Sequence, residues 1–198
     1  LAARPHLHRS SIARIVNISS IGGKVSVPHL LPYSASKFAL TGLSEGLAAE
    51  LAGEGITVTT VCPGLMRTGS TYNALFKGRH RREFTWFHLA DSLPGLSIDA
   101  RSAARQVIEA CRRGDPELII TQAARCAVVM NAMFPNLFAR AMRLVNAMLP
   151  SPDVHAGLDS RSGWQSMTRL APSVLTRLAD RATAENNEVP DAVAPTRA

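Results

Sequence analysis

Arg14-Ile-Val-Asn-Ile-Ser-Ser20 and Ile56-Thr-Val-Thr-Thr-Val61 are the two stretches whose reading decides the fold. Each is a short β-branched run with the character of a buried strand. The first is closed by Ser19, Ser20, Gly22 and Gly23. The second is closed by Cys62-Pro63-Gly64, where proline cannot donate to a ladder and glycine permits a sharp turn. Between them Leu40, Leu43, Leu47 and Leu51 recur at spacings of three and four, behind Pro32 and ahead of Gly53 and Gly55. That pattern predicts an amphipathic helix with proline at its start and glycine past its end. Strand, helix and strand at these distances make a right-handed βαβ unit of a parallel sheet.

Downstream, residues 65–98 carry Tyr72, Phe76, Phe84, Trp86 and Phe87 without a clean period and read as a long loop with short helices. Ile98 to Arg113 is again helical, with Asp99 as N-cap and Gly114 as C-cap, and Glu117-Leu-Ile-Ile-Thr121 is a third strand. Residues 125–149 place Met130, Met133, Leu137, Met142, Leu144 and Met148 near helical spacing, with a break at Pro135. From Pro150 the chain is polar; one weak helix is expected around Trp164 to Ala179, and the last residues read as disorder.

Chemistry concentrates at the start of the first long helix. Tyr33 and Lys37 are four apart, so their side chains emerge on one face. A free phenol is too weak an acid for efficient proton transfer at neutral pH, and a fixed ammonium beside it favours the phenolate. Lysine suits this place because its compact ammonium also donates to a sugar hydroxyl. Ser20 closes the preceding strand thirteen residues earlier, where the loop returns it beside the helix to hold a substrate carbonyl while Tyr33 protonates it. A lone Y-x-x-x-K match is weak, but Asn17-Ile-Ser-Ser20, Tyr33-Ser-Ala-Ser-Lys37 and Pro63-Gly64-Leu-Met-Arg-Thr68 occur in order, each at a strand end or helix start.

Those three motifs resemble the C-terminal signatures of the classical short-chain dehydrogenase/reductase family, over roughly residues 1–121. The resemblance implies an α/β, Rossmann-type parallel sheet, truncated at its N-terminus to the last three strands and their helices, with a helical C-terminal extension. It implies three parts: residues 1–122 as the second half of the catalytic domain, 123–150 as an amphipathic helical extension, and 151–198 as a polar, partly disordered tail. By the same resemblance Ser20 orients the substrate carbonyl, Tyr33 is the general acid or base, and Lys37 holds the nicotinamide ribose and lowers the tyrosine pKa. Pro63, Gly64, Met66 and Thr68 wrap the nicotinamide. The implied activity is carbonyl/alcohol interconversion by hydride transfer with NAD or NADP. The segment after Thr68 would be a lid, with Phe84, Trp86 and Phe87 shaping an apolar pocket. The glycine-rich phosphate loop of such a fold is expected upstream of Leu1, which reads as an internal start. The rival reading is a non-catalytic fragment or interaction module whose sheet edge is covered by itself or a partner.

Composition narrows the field. Hydrophobic residues at 46% and charged residues at 19% describe a globular chain, and 22 Lys and Arg against 15 Asp and Glu favour anionic partners. Cys62, Cys111 and Cys126 lack C-x-x-C spacing, so neither a disulfide framework nor zinc is indicated and a cytoplasmic location fits best. The histidines show no metal-ligand spacing, and no nucleic-acid recognition motif accompanies the basic charge. Gly42-Leu-Ser-Glu-Gly46 matches a hydrolase pattern but sits inside the helix rather than at a strand-to-helix turn. Gly22-Gly-Lys24 is not a phosphate loop, because Val25 occupies the Ser/Thr position. The basic run Lys77-Gly-Arg-His-Arg-Arg82 is a solvated loop or an anion contact. Residues 125–149 fit core packing, a homo-oligomer contact, or an interfacial helix at a membrane.

Overall fold

The structure, a computed structural model, describes residues 2–151, 159–186, 188 and 189. In chain order its elements are α1 (Arg4–Leu7), β1 (Ala13–Ile18), α2 (Leu31–Leu51), β2 (Ile56–Pro63), β3 (Leu65–Arg67), α3 (Ser70–Asn73), β4 (Leu75–Phe76), α4 (His80–Ser92), β5 (Ser97–Asp99), α5 (Ala100–Arg113), β6 (Glu117–Ile120), α6 (Gln122–Met133), α7 (Pro135–Met148), β7 (Arg161–Ser162) and α8 (Arg177–Glu185). They divide into two units: one holds the residues up to Gly64 with Arg101–Arg143, and the other holds Leu65–Ala100 with the described residues from Leu144 onward.

The first unit is α/β and is built on a parallel sheet in the order β1-β2-β6. The register sets Ile18 beside Val61 and Pro63 beside Ile120, so the three strands end together. Ala13, Leu51, Ile56 and Val58 form its apolar core, with Leu7, Ile15 and Leu47 packed against it. These are the β-branched runs and the far end of the helix that the sequence marks as strands and helix.

Helix α2 packs Leu47 and Leu51 inward as its periodicity suggests, but the rest of its buried face is made of small polar residues rather than leucines. Leu43 is 60% exposed, whereas Ser34, Thr41, Ser44 and Leu51 are buried. Small side chains let the helix approach the sheet closely, and their hydroxyls find partners there. Asn17 Nδ2 donates to Ser44 Oγ at 2.9 Å, Thr60 Oγ1 donates to the same oxygen at 2.6 Å, and Ser19 Oγ lies 2.8 Å from Thr41 Oγ1. A satisfied polar seam of this kind fixes one helix register, because a slip would strand buried hydroxyls at about 1–3 kcal/mol each. Lys24 bridges Glu45 of α2 and Glu117 of β6. Burial pulls its pKa down, but the bonds to Glu117 and Glu45 outweigh that and raise it.

The second unit contains residues 65–98, which the sequence left as loop with short helices. Here β3 pairs in parallel with β5, β4 pairs antiparallel with β7, and α4 runs for 13 residues. The helix expected from Ile98 starts at Ala100 because Ser97–Asp99 is committed to the β3 pairing. Tyr72, Phe84 and Ala171 make its core, with Phe76 and Trp164 against them. Tyr72 stacks on Trp164 at 4.3 Å between ring centroids. Phe84, expected with Trp86 and Phe87 to shape an apolar pocket, is therefore a core residue of this unit beside Tyr72.

Beneath the rings Asp180 gathers three partners. Tyr72 Oη donates to Asp180 Oδ1 at 2.5 Å, His88 Nε2 lies 2.8 Å from the same oxygen, and Thr176 Oγ1 donates to Oδ2 at 2.7 Å. A carboxylate only accepts, so His88 Nε2 donates to it, while His88 Nδ1 lies 2.6 Å from Thr71 Oγ1. Burial pushes the Tyr72 phenol far up, and Asp180 adds to this, so it stays a donor. Residues 159–186, read from the sequence as part of a polar tail, contribute Thr176 and Asp180 to this network and bury Ser166, Ala171, Ala179 and Thr183. The tail residues 152–158, 187 and 190–198 lie outside the described residues.

Candidate active site

The serine loop is built by β1. At its C-terminal end the chain turns through a 3-10 helix at Ile21–Gly23, for which Ser20 is the N-cap, its Oγ accepting from Gly22 N at 3.1 Å. One serine earlier, Ser19 Oγ donates to the Lys37 carbonyl at 3.0 Å and so ties this loop to the first turns of α2. Tight packing follows: a Cβ at Gly23 would stand 2.6 Å from Lys37 O, Ser19 Oγ and Thr41 Oγ1, which only glycine avoids. The loop and the helix are locked against each other by a bond and by the absence of a side chain.

That lock brings Ser20, Tyr33 and Lys37 together. A Cβ built on Gly22 would lie 3.1 Å from Tyr33 Cε1 and 3.5 Å from Ser20 Oγ, so the hydroxyl and the ring edge flank the same small residue. Tyr33 is 43% exposed, which leaves its phenol reachable, while Ser20 is buried. Lys37 Nζ donates to the Ile18 carbonyl at 3.1 Å and sits 5.7 Å from the Tyr33 ring centroid. One of its three N–H groups is thereby anchored to the end of β1. Among the described residues no acceptor takes the Ser20 hydroxyl proton. The arrangement offers a fixed hydroxyl donor, a reachable phenol and an anchored ammonium at the C-terminal edge of a parallel sheet, where ligands of open α/β sheets bind.

Pro63 and Gly64 end β2 at that same edge, since Ser19 N donates to Val61 O at 2.7 Å and Gly64 N donates to Ile120 O at 3.0 Å. Gly64 also permits a close approach: a Cβ there would lie 2.5 Å from Thr121 Oγ1. Thr121 holds an unusual φ of 81° and caps α6 by accepting from Ala124 N. Cys62, between the two motif segments, is fully buried, and burial pushes its thiol up, so it packs rather than attacks.

Residues 1–75, which contain all seven candidate positions, match the family model described as short chain dehydrogenase. Those residues belong to the short-chain dehydrogenase family. A 3-ketodihydrosphingosine reductase from Bacteroides thetaiotaomicron is 46% identical over 72 residues, 36% of this chain and 27% of that protein. A dehydrogenase/reductase SDR family protein 7-like from Drosophila melanogaster is 28% identical over 152 residues, 74% of this chain and 45% of that one. The chain thus spans less than half the length of these curated relatives. Among solved structures, a short chain dehydrogenase from Burkholderia cenocepacia in complex with NADP aligns with a TM-score of 0.53 at 26% identity, covering 76% of this chain and 52% of that one.

Within this short-chain dehydrogenase region, five of the seven positions lie in the first unit. Met66, in β3, and Thr68 fall in the second. Thr68 Oγ1 donates to Ser70 Oγ at 2.9 Å and accepts from Ser70 N, shaping the turn into α3. Three site-shaping residues escape the sequence reading: Ser19, Gly23 and Thr41. Ser19 is overshadowed by its neighbour Ser20, Gly23 looks like ordinary loop punctuation, and Thr41 sits inside a leucine-periodic run. The Gly22-Gly23 doublet is the signal that points to them, because two glycines after a strand allow backbone to meet a helix.

Proposed function

We propose that this chain carries the proton-transfer half of an NAD(P)-dependent carbonyl reductase of the short-chain type. The observation that carries the reading is the convergence of Ser20 and Tyr33 around Gly22, with Lys37 pinned to the Ile18 carbonyl beside them. A bound nicotinamide dinucleotide would supply the hydride to the carbonyl carbon and accept it in the reverse direction.

The residues present fit the nicotinamide-ribose end of that cofactor. Lys37 has two N–H groups left for ribose hydroxyls once the third is given to Ile18. Ser20 Oγ has used a lone pair on Gly22 N, which directs its own O–H outward to a carbonyl oxygen. Tyr33 then gives its proton to that oxygen, which completes an alcohol, or takes one from an alcohol being oxidised. Pro63, Gly64, Met66 and Thr68 are assigned to the nicotinamide face. A ketone is the favoured substrate, in keeping with the name of the Bacteroides relative.

Steady-state kinetics on the protein at its full encoded length test these roles, with a β-keto ester and NADH or NADPH. Ser20→Ala should lower kcat by at least tenfold with the cofactor dissociation constant unchanged, since it loses only the carbonyl hydrogen bond. Lys37→Met should weaken dinucleotide binding and lower kcat together. Absence of any dinucleotide-dependent turnover in the unsubstituted protein would favour a non-catalytic interaction module instead.

A further inference from the structure

Neither the apolar core nor the candidate site uses the outward apolar face of α6 and α7. In α7, Leu137, Ala141, Leu144 and Met148 recur at spacings of four, three and four and so form one stripe. Leu137 is 56% exposed, and Leu144 and Met148 are each 70% exposed. The helix has no buried residue. Helix α6 repeats the pattern, with Val129 at 53% and Met133 at 66% exposure. Two consecutive helices that each present an apolar stripe outward are not explained by packing within the chain.

Charge says what covers them. From Gln122 to Pro150 the chain has three arginines, Arg125, Arg140 and Arg143, and no acidic residue. Arg140 stands three after Leu137 and four before Leu144, at the edge of the α7 stripe, and Arg143 lies about 100° round the helix from Leu144, so neither interrupts the stripe; Arg125 of α6 donates to the Ile119 carbonyl at 2.9 Å. Long arginine stems can lie along apolar surface while the guanidinium reaches a polar layer. A symmetric contact with a second copy would bring these cations together with no carboxylate from the segment to meet them. A layer of lipid phosphates over an acyl boundary complements both features. No described helix is long and apolar enough to cross a membrane, so the geometry is that of helices lying in the interface plane.

We infer that residues 122–148 are an interfacial anchor for an anionic phospholipid bilayer. Leu137, Leu144 and Met148 enter the acyl boundary, and Arg140 and Arg143 contact the lipid phosphates. This does not depend on the reductase reading, and the test has no enzymatic readout.

Co-sedimentation of the full chain with phosphatidylcholine vesicles, with and without phosphatidylserine, tests it. Binding to the phosphatidylserine vesicles is expected, weakening as salt rises. The double substitution Leu144→Glu and Met148→Glu should weaken it by on the order of tenfold or more. Its urea midpoint should stay unchanged, because both side chains are exposed. Arg140→Gln and Arg143→Gln should each weaken binding about fivefold. Equal binding with and without phosphatidylserine, or undiminished binding by the double variant, overturns the proposal. So does sedimentation velocity that finds a lipid-free dimer which the double variant converts to monomer, for then a second copy covers the stripe.

Discussion

Replacing Gly23 by alanine tests how tightly the serine loop and α2 determine each other. The new methyl carbon would start 2.6 Å from the Lys37 carbonyl oxygen, the Ser19 hydroxyl and the Thr41 hydroxyl. The first of these is helix backbone and cannot rotate aside, so loop and helix must separate by roughly 0.8 Å to reach ordinary contact at 3.4 Å. Overpacking of this kind costs about 1–3 kcal/mol. At a urea slope near 2 kcal/mol per molar that lowers the unfolding midpoint by roughly 1 M. The same separation moves Ser20 from Tyr33, and misplacement on this scale costs about a hundredfold in turnover. Gly42→Ala and Gly46→Ala are the controls, since a Cβ at either meets nothing within 4 Å inside the same helix. They should stabilise by about 0.5–1 kcal/mol through helix propensity. A Gly23→Ala protein with the wild-type midpoint and full turnover would refute the lock between loop and helix.

Burial pushes the Asp91 carboxyl up from 3.8 to about 7. Its folded pKa lies above the unfolded one, so the native state keeps a proton that the unfolded chain releases, and stability falls as pH rises through roughly 4 to 7. Asp91→Asn should remove that slope and exceed wild type by up to roughly 4 kcal/mol at pH 8, with no gain at pH 4, in urea titrations at both values. For Asp180 burial acts upward, but the bonds from His88, Tyr72 and Thr176 hold it below the ordinary carboxylate range. Its contribution is therefore complete above the unfolded pKa and is lost as pH falls through the lower folded value. Asp180→Asn should cost about 2–3 kcal/mol at neutral pH and shift Tyr72 and Trp164 fluorescence; an unchanged midpoint would show that the network contributes nothing.

The first unit was legible because its signals are local. Ile15, Val16, Val58 and Val61 announce strands by their branching, and Ser20, Tyr33 and Lys37 are spaced by one loop and one helical turn. What the leucine periodicity hides there is the polar part of the buried face of α2, because Leu47 and Leu51 pack inward as the pattern says while Ser34, Thr41 and Ser44 complete the seam. Hydroxyls reveal a buried seam only when partners such as Asn17 and Thr60 are known to stand opposite. The second unit was illegible for a different reason. Tyr72 meets Asp180 across 108 residues, and Trp164 stacks on a ring far upstream. No periodicity within 65–98 or 159–186 reports a pairing made only between them.

The central claim is that Tyr33 transfers the proton while the rest of the site holds the dinucleotide. Tyr33→Phe in the protein at its full encoded length, measured by fluorescence titration with NADH and NADPH and by single-turnover reduction of a ketone, tests it most directly. The account predicts that at least one dinucleotide binds both proteins with similar affinity and that reduction falls by about 100-fold or more in the variant. Undiminished reduction by Tyr33→Phe, or a phenylalanine variant that loses dinucleotide binding and retains the chemical step, would contradict it.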